Sequence, residues 1–155
     1  MLTEPSSKPS SQNALGQYDE TIQQKQHALI QDFELLADWT ERYRYLIELG
    51  RALPPLEPAL KSGATQLFGC QAKVWLTAIT KDERVFFKAT SDSDLVLGLV
   101  ALLVKVYSGQ RAKDIVASSP DFIQHLGLAQ QLTQGRATGL AQMIQRIYAL
   151  AHAAL

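Results

Sequence analysis

The sequence is poor in cysteine, has no excess charge of either sign and contains no long apolar run. Its 155 residues hold one cysteine, Cys70. A single thiol closes no internal disulfide, offers no resolving partner for redox exchange and falls short of the several thiolates that hold an iron–sulfur cluster. It suits a compartment that keeps thiols reduced, so a cytoplasmic location is expected. The 15 Lys and Arg residues are balanced by 15 Asp and Glu. With no net field, neither a nucleic-acid backbone nor an anionic membrane surface is an expected partner. The longest apolar run, Leu95 to Val104, is ten residues, whereas a membrane-spanning helix needs about 20. The opening stretch MLTEPSSKPSSQNALGQ lacks the apolar centre of a signal peptide and the arginines of a transit peptide. Residues 1–17 are therefore expected to form a disordered tail ahead of one soluble domain over 18–155.

Local signals behind that tail are strong. Thr21 and Gln24 have the spacing of a capping box, and Ile22, Leu29, Ile30, Phe33 and Leu36 recur behind them at helical period. Asp38 and Glu41 repeat the start signal ahead of Trp39, Tyr43, Leu46, Ile47 and Gly50, which predicts a second helix ending near Leu53. Residues 54–69 carry three prolines and two glycines and read as a long connection. KVWLTAIT and RVFFKAT, rich in β-branched and aromatic residues and separated by Lys81-Asp82-Glu83, predict an antiparallel hairpin. Ser93 caps the next helix, Asp94 favours its positive end and Gly109 stops it; apolar on nearly every side, it should be buried. A short helix over Ala112 to Ala117 follows, then one opened by Ser119 and Pro120 and closed by Gly127. The last begins after Thr133 with Leu140, Met143, Ile144, Ile147, Leu150 and Ala151 as its stripe. Helices, hairpin, helices, without βαβ alternation, predict an α+β fold in which a small antiparallel sheet packs against several helices.

Free cysteines usually serve as small buried hydrophobes. The neighbours of Cys70 point elsewhere: it follows Gly69, precedes the polar Gln71 and Lys73, and ends a long loop. That pattern presents a thiol, with Lys73 available to lower its pKa and with Phe68, Trp75 and the Leu95–Val104 helix as candidate apolar cover. A thiolate in a loop suits hydrolysis, redox exchange or the acceptance of sulfur. Hydrolysis needs an oriented histidine base, and His27, His125 and His152 carry no local signature of one. Sulfur acceptance needs only one thiolate. A thiol hydrolase or transferase and a non-catalytic adaptor stand as the alternatives. Arg136 lies in the first turn of the last helix, where a positive charge opposes the helix dipole, and Gly135 and Gly139 are close by. It is either a solvated arginine on a frayed helix start or one offered to an anion where a partner or the Cys70 loop approaches. Tyr43, Tyr45, His125 and the Met143 stripe read as structural. Ser91-Asp92-Ser93-Asp94 is more simply a helix start than a metal site, and no metal is expected.

In order along the chain, WTERYRYLIELGRALPPL, FGCQAKVWL, the SDSD helix start with GLVALLV, and LGLAQQLTQGRATGL with Met143 resemble the SufE family, including its CsdE branch, over roughly Phe33 to Ile147. The resemblance implies a sulfur acceptor rather than a self-sufficient enzyme, with no cofactor of its own. Its partner would be a pyridoxal phosphate-dependent cysteine desulfurase of the SufS or CsdA type, which it stimulates. Persulfide sulfur taken onto one cysteine would pass to a recipient such as an iron–sulfur scaffold. The implied fold is the SufE/NifU-like one, shared with cluster scaffolds that carry more cysteines, and a homodimer is compatible with it. By this resemblance Cys70 matches the acceptor cysteine, Gln71 the residue after it, Asp94 the second aspartate of the helix start and Arg136 the arginine ahead of the last helix, while Gly69 and Lys73 belong to the same loop. Two positions depart from the pattern: Ala72 and Gly135 stand where serine is common, so a hydroxyl at either is not expected to be essential.

Overall fold

Thr21 opens α1 (Ile22–Leu35) with both halves of the capping box: its hydroxyl accepts from the Gln24 N–H at 3.0 Å while the Gln24 side chain accepts from the Thr21 N–H at 2.8 Å. The computed structural model describes residues 20–69 and 71–155. The expected tail over 1–17 and Cys70 itself lie outside the described residues. Asp38 caps α2 (Trp39–Arg51) through the Glu41 N–H, so this helix closes two residues before Leu53. The Tyr45 hydroxyl of α2 donates to Asp32 of α1 at 3.1 Å. Burial, reinforced by that carboxylate, pushes the Tyr45 phenol up to about 12. The fold prefers the neutral phenol, so its contribution is full below an unfolded pKa of about 10 and is lost as pH rises through the higher folded value. Urea midpoints are expected to fall between pH 10 and 12, and Tyr45→Phe to flatten that part of the profile.

The predicted hairpin forms as β2 (Val74–Lys81) and β3 (Arg84–Ser91), paired from Val74↔Ser91 to Lys81↔Arg84. Its two-residue turn places Asp82 and Glu83 at φ 54° and 69° without a glycine. Such positive angles match the twist of the strands, which is why two-residue hairpin loops adopt them. Two short strands complete an antiparallel sheet of order β1-β2-β3-β4: β1 (Gln66–Leu67) on one edge and β4 (Gln110–Arg111) on the other. Residues 54–69 are thus a connection that contains a 3-10 turn, Pro58–Leu60, and an edge strand.

Ser93 caps α3 (Asp94–Tyr107), whose buried residues include Val96, Leu99, Val100, Leu102, Leu103 and Val106. α3 packs against both β3 and α2, and each large apolar side chain so buried is worth about 1.5–3 kcal/mol. The sheet gives it Val74, Leu76, Val85, Phe87 and Ala89, alternate residues of one face. α4 (Ala112–Ala117), α5 (Phe122–Leu126) and α6 (Leu128–Gln131) lead to α7 (Gln134–Ala153). α5 starts later than the Ser119-Pro120 signal predicts, because the Ser119 hydroxyl accepts from the Asp121 N–H and makes a turn there instead. α7 packs on α4, α3 and β2. Among the described residues no helix is long and apolar enough to cross a membrane.

Candidate functional site

β1 and β2 pair through Gln66↔Trp75 and Leu67↔Val74. Residues 68–73 are therefore the connection of a hairpin, and Cys70 falls within it in sequence. The base of this loop is fixed from below. Arg146 of α7 donates from its two Nη atoms to the carbonyls of Leu76 at 3.3 Å and Gln66 at 3.4 Å, one on each strand. A single guanidinium so ties the hairpin to the last helix, a role that the stripe pattern of α7 did not suggest because Arg146 lies off that stripe. Trp75 is half-buried with Lys61 Nζ 4.8 Å from its ring centroid. Phe68 is 68% exposed. After the buried Leu67 the chain turns at Gly69, whose φ of +90° suits glycine, and Phe68 is left facing solvent.

On the other side of the loop the anchor is a carboxylate. The Lys73 N–H donates to Asp92 Oδ1 at 2.9 Å, while the Lys73 carbonyl accepts from the Ser91 hydroxyl at 2.7 Å and the Asp92 N–H at 3.2 Å. Ser91 and Asp92 together bracket both backbone polar groups of Lys73 and hold the end of the loop to β3. Asp94, the aspartate singled out by resemblance, stands exposed at the first position of α3; the carboxylate that reaches the loop belongs to Asp92. The alternation Ser-Asp-Ser-Asp reads as a cap in sequence and conceals this second duty of its first half. Ala72 is half-buried against the core, which gives its methyl an apolar place where a serine would bring a hydroxyl.

Gln71 reaches the start of α7, 62 residues away in sequence from Thr133. The Thr133 hydroxyl caps that helix by accepting from the Arg136 N–H at 3.3 Å, and donates to Gln71 Oε1 at 3.4 Å. The Gln71 side chain lies over Gly135 so closely that a Cβ there would come within 2.5 Å of both Cγ and Nε2. Arg136 is half-buried at the third helical position, in a first turn that has no acidic residue. The positive end of a 20-residue helix and an arginine thus stand beside the residue that follows the thiol, a setting that favours an anion. His27 on α1, His125 on α5 and His152 on α7 are each exposed on separate helices. His125 is accordingly not a core residue. Among the described residues no group of three or more His, Cys, Asp or Glu could hold a metal ion.

The family model described as the Fe–S metabolism associated domain, SufE, matches residues 27–151. An uncharacterized SufE-like protein of Rhizobium meliloti is 38% identical over 124 residues, covering 77% of this chain and 89% of that protein. The chloroplastic/mitochondrial SufE-like protein 1 of Arabidopsis thaliana is 36% identical over 141 residues, 90% of this chain but 38% of the plant protein. The solution structure of a hypothetical protein from Thermus thermophilus superposes with a TM-score of 0.71 at 21% identity, covering 84% of this chain and 95% of the other, and shows the same fold. With a family model spanning most of its length and relatives at this level of identity, the chain belongs to the SufE family.

Proposed function

We propose that this protein is a sulfur acceptor. Its Cys70 takes sulfur from the persulfide of a pyridoxal phosphate-dependent cysteine desulfurase and passes it on to iron–sulfur assembly or related sulfur transfer. The observation that supports this reading is that the connection within which the lone cysteine falls in sequence is tied down on both flanks, by Asp92 after it and by the base clamp of Arg146, while Gln71 meets the positive end of α7. The exchange needs no oxidant. The Cys70 thiolate attacks the outer sulfur of the desulfurase persulfide, a new S–S bond forms as the old one breaks, and the desulfurase cysteine leaves as thiolate. Cys70 then carries the persulfide, and the same exchange hands the sulfur to a recipient thiol. With no second cysteine in the chain, the carrier cannot discharge into a disulfide of its own. A cytoplasmic setting fits a thiol that must stay reduced between cycles.

The test is to incubate the protein with a desulfurase and free cysteine and to weigh it intact. Addition of one sulfur atom, removed by reducing agent, is expected; an unchanged mass overturns the proposal. Arg136 supplies a second check. Arg136→Ala removes a cation from the positive end of α7, a gain of about 0.3–1 kcal/mol that raises the thermal midpoint by roughly 1–4 °C. Sulfur acceptance is nevertheless expected to slow by about tenfold, equivalent to ~1.4 kcal/mol, if the guanidinium serves the anionic sulfur. A variant that accepts sulfur at the full rate would mark Arg136 as a solvated surface charge.

A further inference from the structure

The contact between Gln71 and Gly135 joins the residue after the thiol to the second residue of the last helix, and two details make it more than a surface touch. First, the Thr133 hydroxyl is used twice, accepting from the Arg136 N–H and donating to Gln71 Oε1. The hydrogen bond that caps α7 is therefore continuous with the one that holds Gln71. Second, glycine is a poor helix former, yet at position 135 anything larger would collide with Cγ, Cδ and Nε2 of Gln71. A helix start that keeps a glycine under an amide side chain is shaped to receive that side chain.

We infer that Gln71 is a positioning residue for the acceptor thiol: it latches the Cys70 loop onto the first turn of α7, with Gly135 as its seat and Thr133 as its hydrogen-bond donor. This deepens the acceptor role proposed above and rests on it for its consequence. The latch and the Asp92 bracket both grip the segment that follows Cys70, through attachments of different kinds. Asp92 grips backbone. Gln71 is an exposed, flexible side chain resting on a glycine, which a docking protein can lift without breaking the sheet. The latch also sets the residue that follows the thiol against the positive helix end, a setting that favours an anion.

Four proteins test the latch: wild type, Gly135→Ala, Gln71→Ala and the double variant. Alanine suits a helix better than glycine, so Gly135→Ala should keep or raise the thermal midpoint while its methyl displaces Gln71. Hydrogen exchange of residues 69–72 is expected to quicken at least threefold in each single variant. The pH midpoint of Cys70 alkylation by iodoacetamide is expected to move upward in both. The double variant should match either single one, since a seat has no further effect once its occupant is gone. A merely stabilising role for these residues would lower the thermal midpoint and leave the alkylation midpoint in place. Exchange or an alkylation midpoint unchanged by Gly135→Ala, or effects that add in the double variant, would overturn the latch. None of these readouts needs a desulfurase, so the latch can hold even if wild-type protein gains no sulfur, in which case only the acceptor role falls.

Discussion

In a Cys70→Ser variant the sulfur gained on incubation with a desulfurase and cysteine disappears, and so does any stimulation of the desulfurase. The expected loss is at least about a hundredfold, because the thiolate is itself the attacking group and a serine hydroxyl neither ionises near neutral pH nor forms a persulfide. No other cysteine exists to take over. The fold should be indifferent to the change. The loop is held by Asp92 on Lys73, by Gln71 on α7 and by Arg146 at the hairpin base, and none of these contacts uses the thiol. Urea and thermal midpoints should therefore stay close to wild type. Substitution of His27, His125 or His152 by alanine is expected to leave sulfur acceptance intact, whereas a thiol hydrolase would lose activity with its base. A Cys70→Ser protein that still stimulates the desulfurase would end the acceptor proposal.

The parts of the fold that could be read from the chain are those whose physics is local. The side-chain oxygens of Thr21, Asp38 and Ser93 each accept a helix N–H from three residues on, so their types and spacing announce the helix start. The long hairpin strands and the apolar α3 are legible for a similar reason, because burial imposes its period on every residue. What escapes is structure made by pairing rather than by pattern. β1 and β4 are two residues each, too short to carry a period of two, and they exist only because β2 and β3 offer edges. The Asp82-Glu83 turn shows the opposite failure: the hairpin is evident, but its positive angles fall on residues that do not advertise them.

The site divides along the same line. Cys70, Gln71 and Arg136 stand out in sequence, as an isolated thiol, its neighbour in a shared motif, and a charge in an unfavourable place. That Gln71 meets the first turn of α7, which carries Arg136, depends on the packing of α7 against β2, which no short segment encodes. Asp92 hides inside a stretch already explained by capping, and Arg146 looks like an ordinary polar residue of an amphipathic helix. Gly135 is the most instructive case. In sequence it is a weak spot in a helix start; in space it is the surface on which Gln71 rests.

Among glycine-to-alanine substitutions at the described residues, Gly98→Ala is expected to have a large effect on stability. α2 and α3 cross where Gly50 meets Gly98: a Cβ on Gly98 would lie 2.6 Å from the Leu46 carbonyl carbon and closer still to its oxygen, and 3.1 Å from the Leu46 Cβ. The first two are backbone atoms of a helix that packs with Leu46 fully buried, so no rotamer change relieves them and the helices must part. Overpacking costs about 1–3 kcal/mol where side chains yield, and here the rigid backbone puts the gross cost at the top of that range or above. Replacing glycine by alanine in a helix returns only about 1 kcal/mol. A net loss of roughly 2–3 kcal/mol lowers the thermal midpoint by about 4–12 °C in a chain of this size. Gly63→Ala is the control, since no atom lies within 4 Å of the added methyl, and its midpoint should barely move. The crossing involves none of the residues that anchor the Cys70 hairpin, Asp92, Arg146, Thr133 and Gly135. Sulfur acceptance per folded Gly98→Ala molecule should consequently remain near wild type at low temperature while the folded fraction on warming falls. A Gly98→Ala protein as stable as wild type would mean that the two helices are not held at this distance, and the close crossing of α2 and α3 would have to be abandoned.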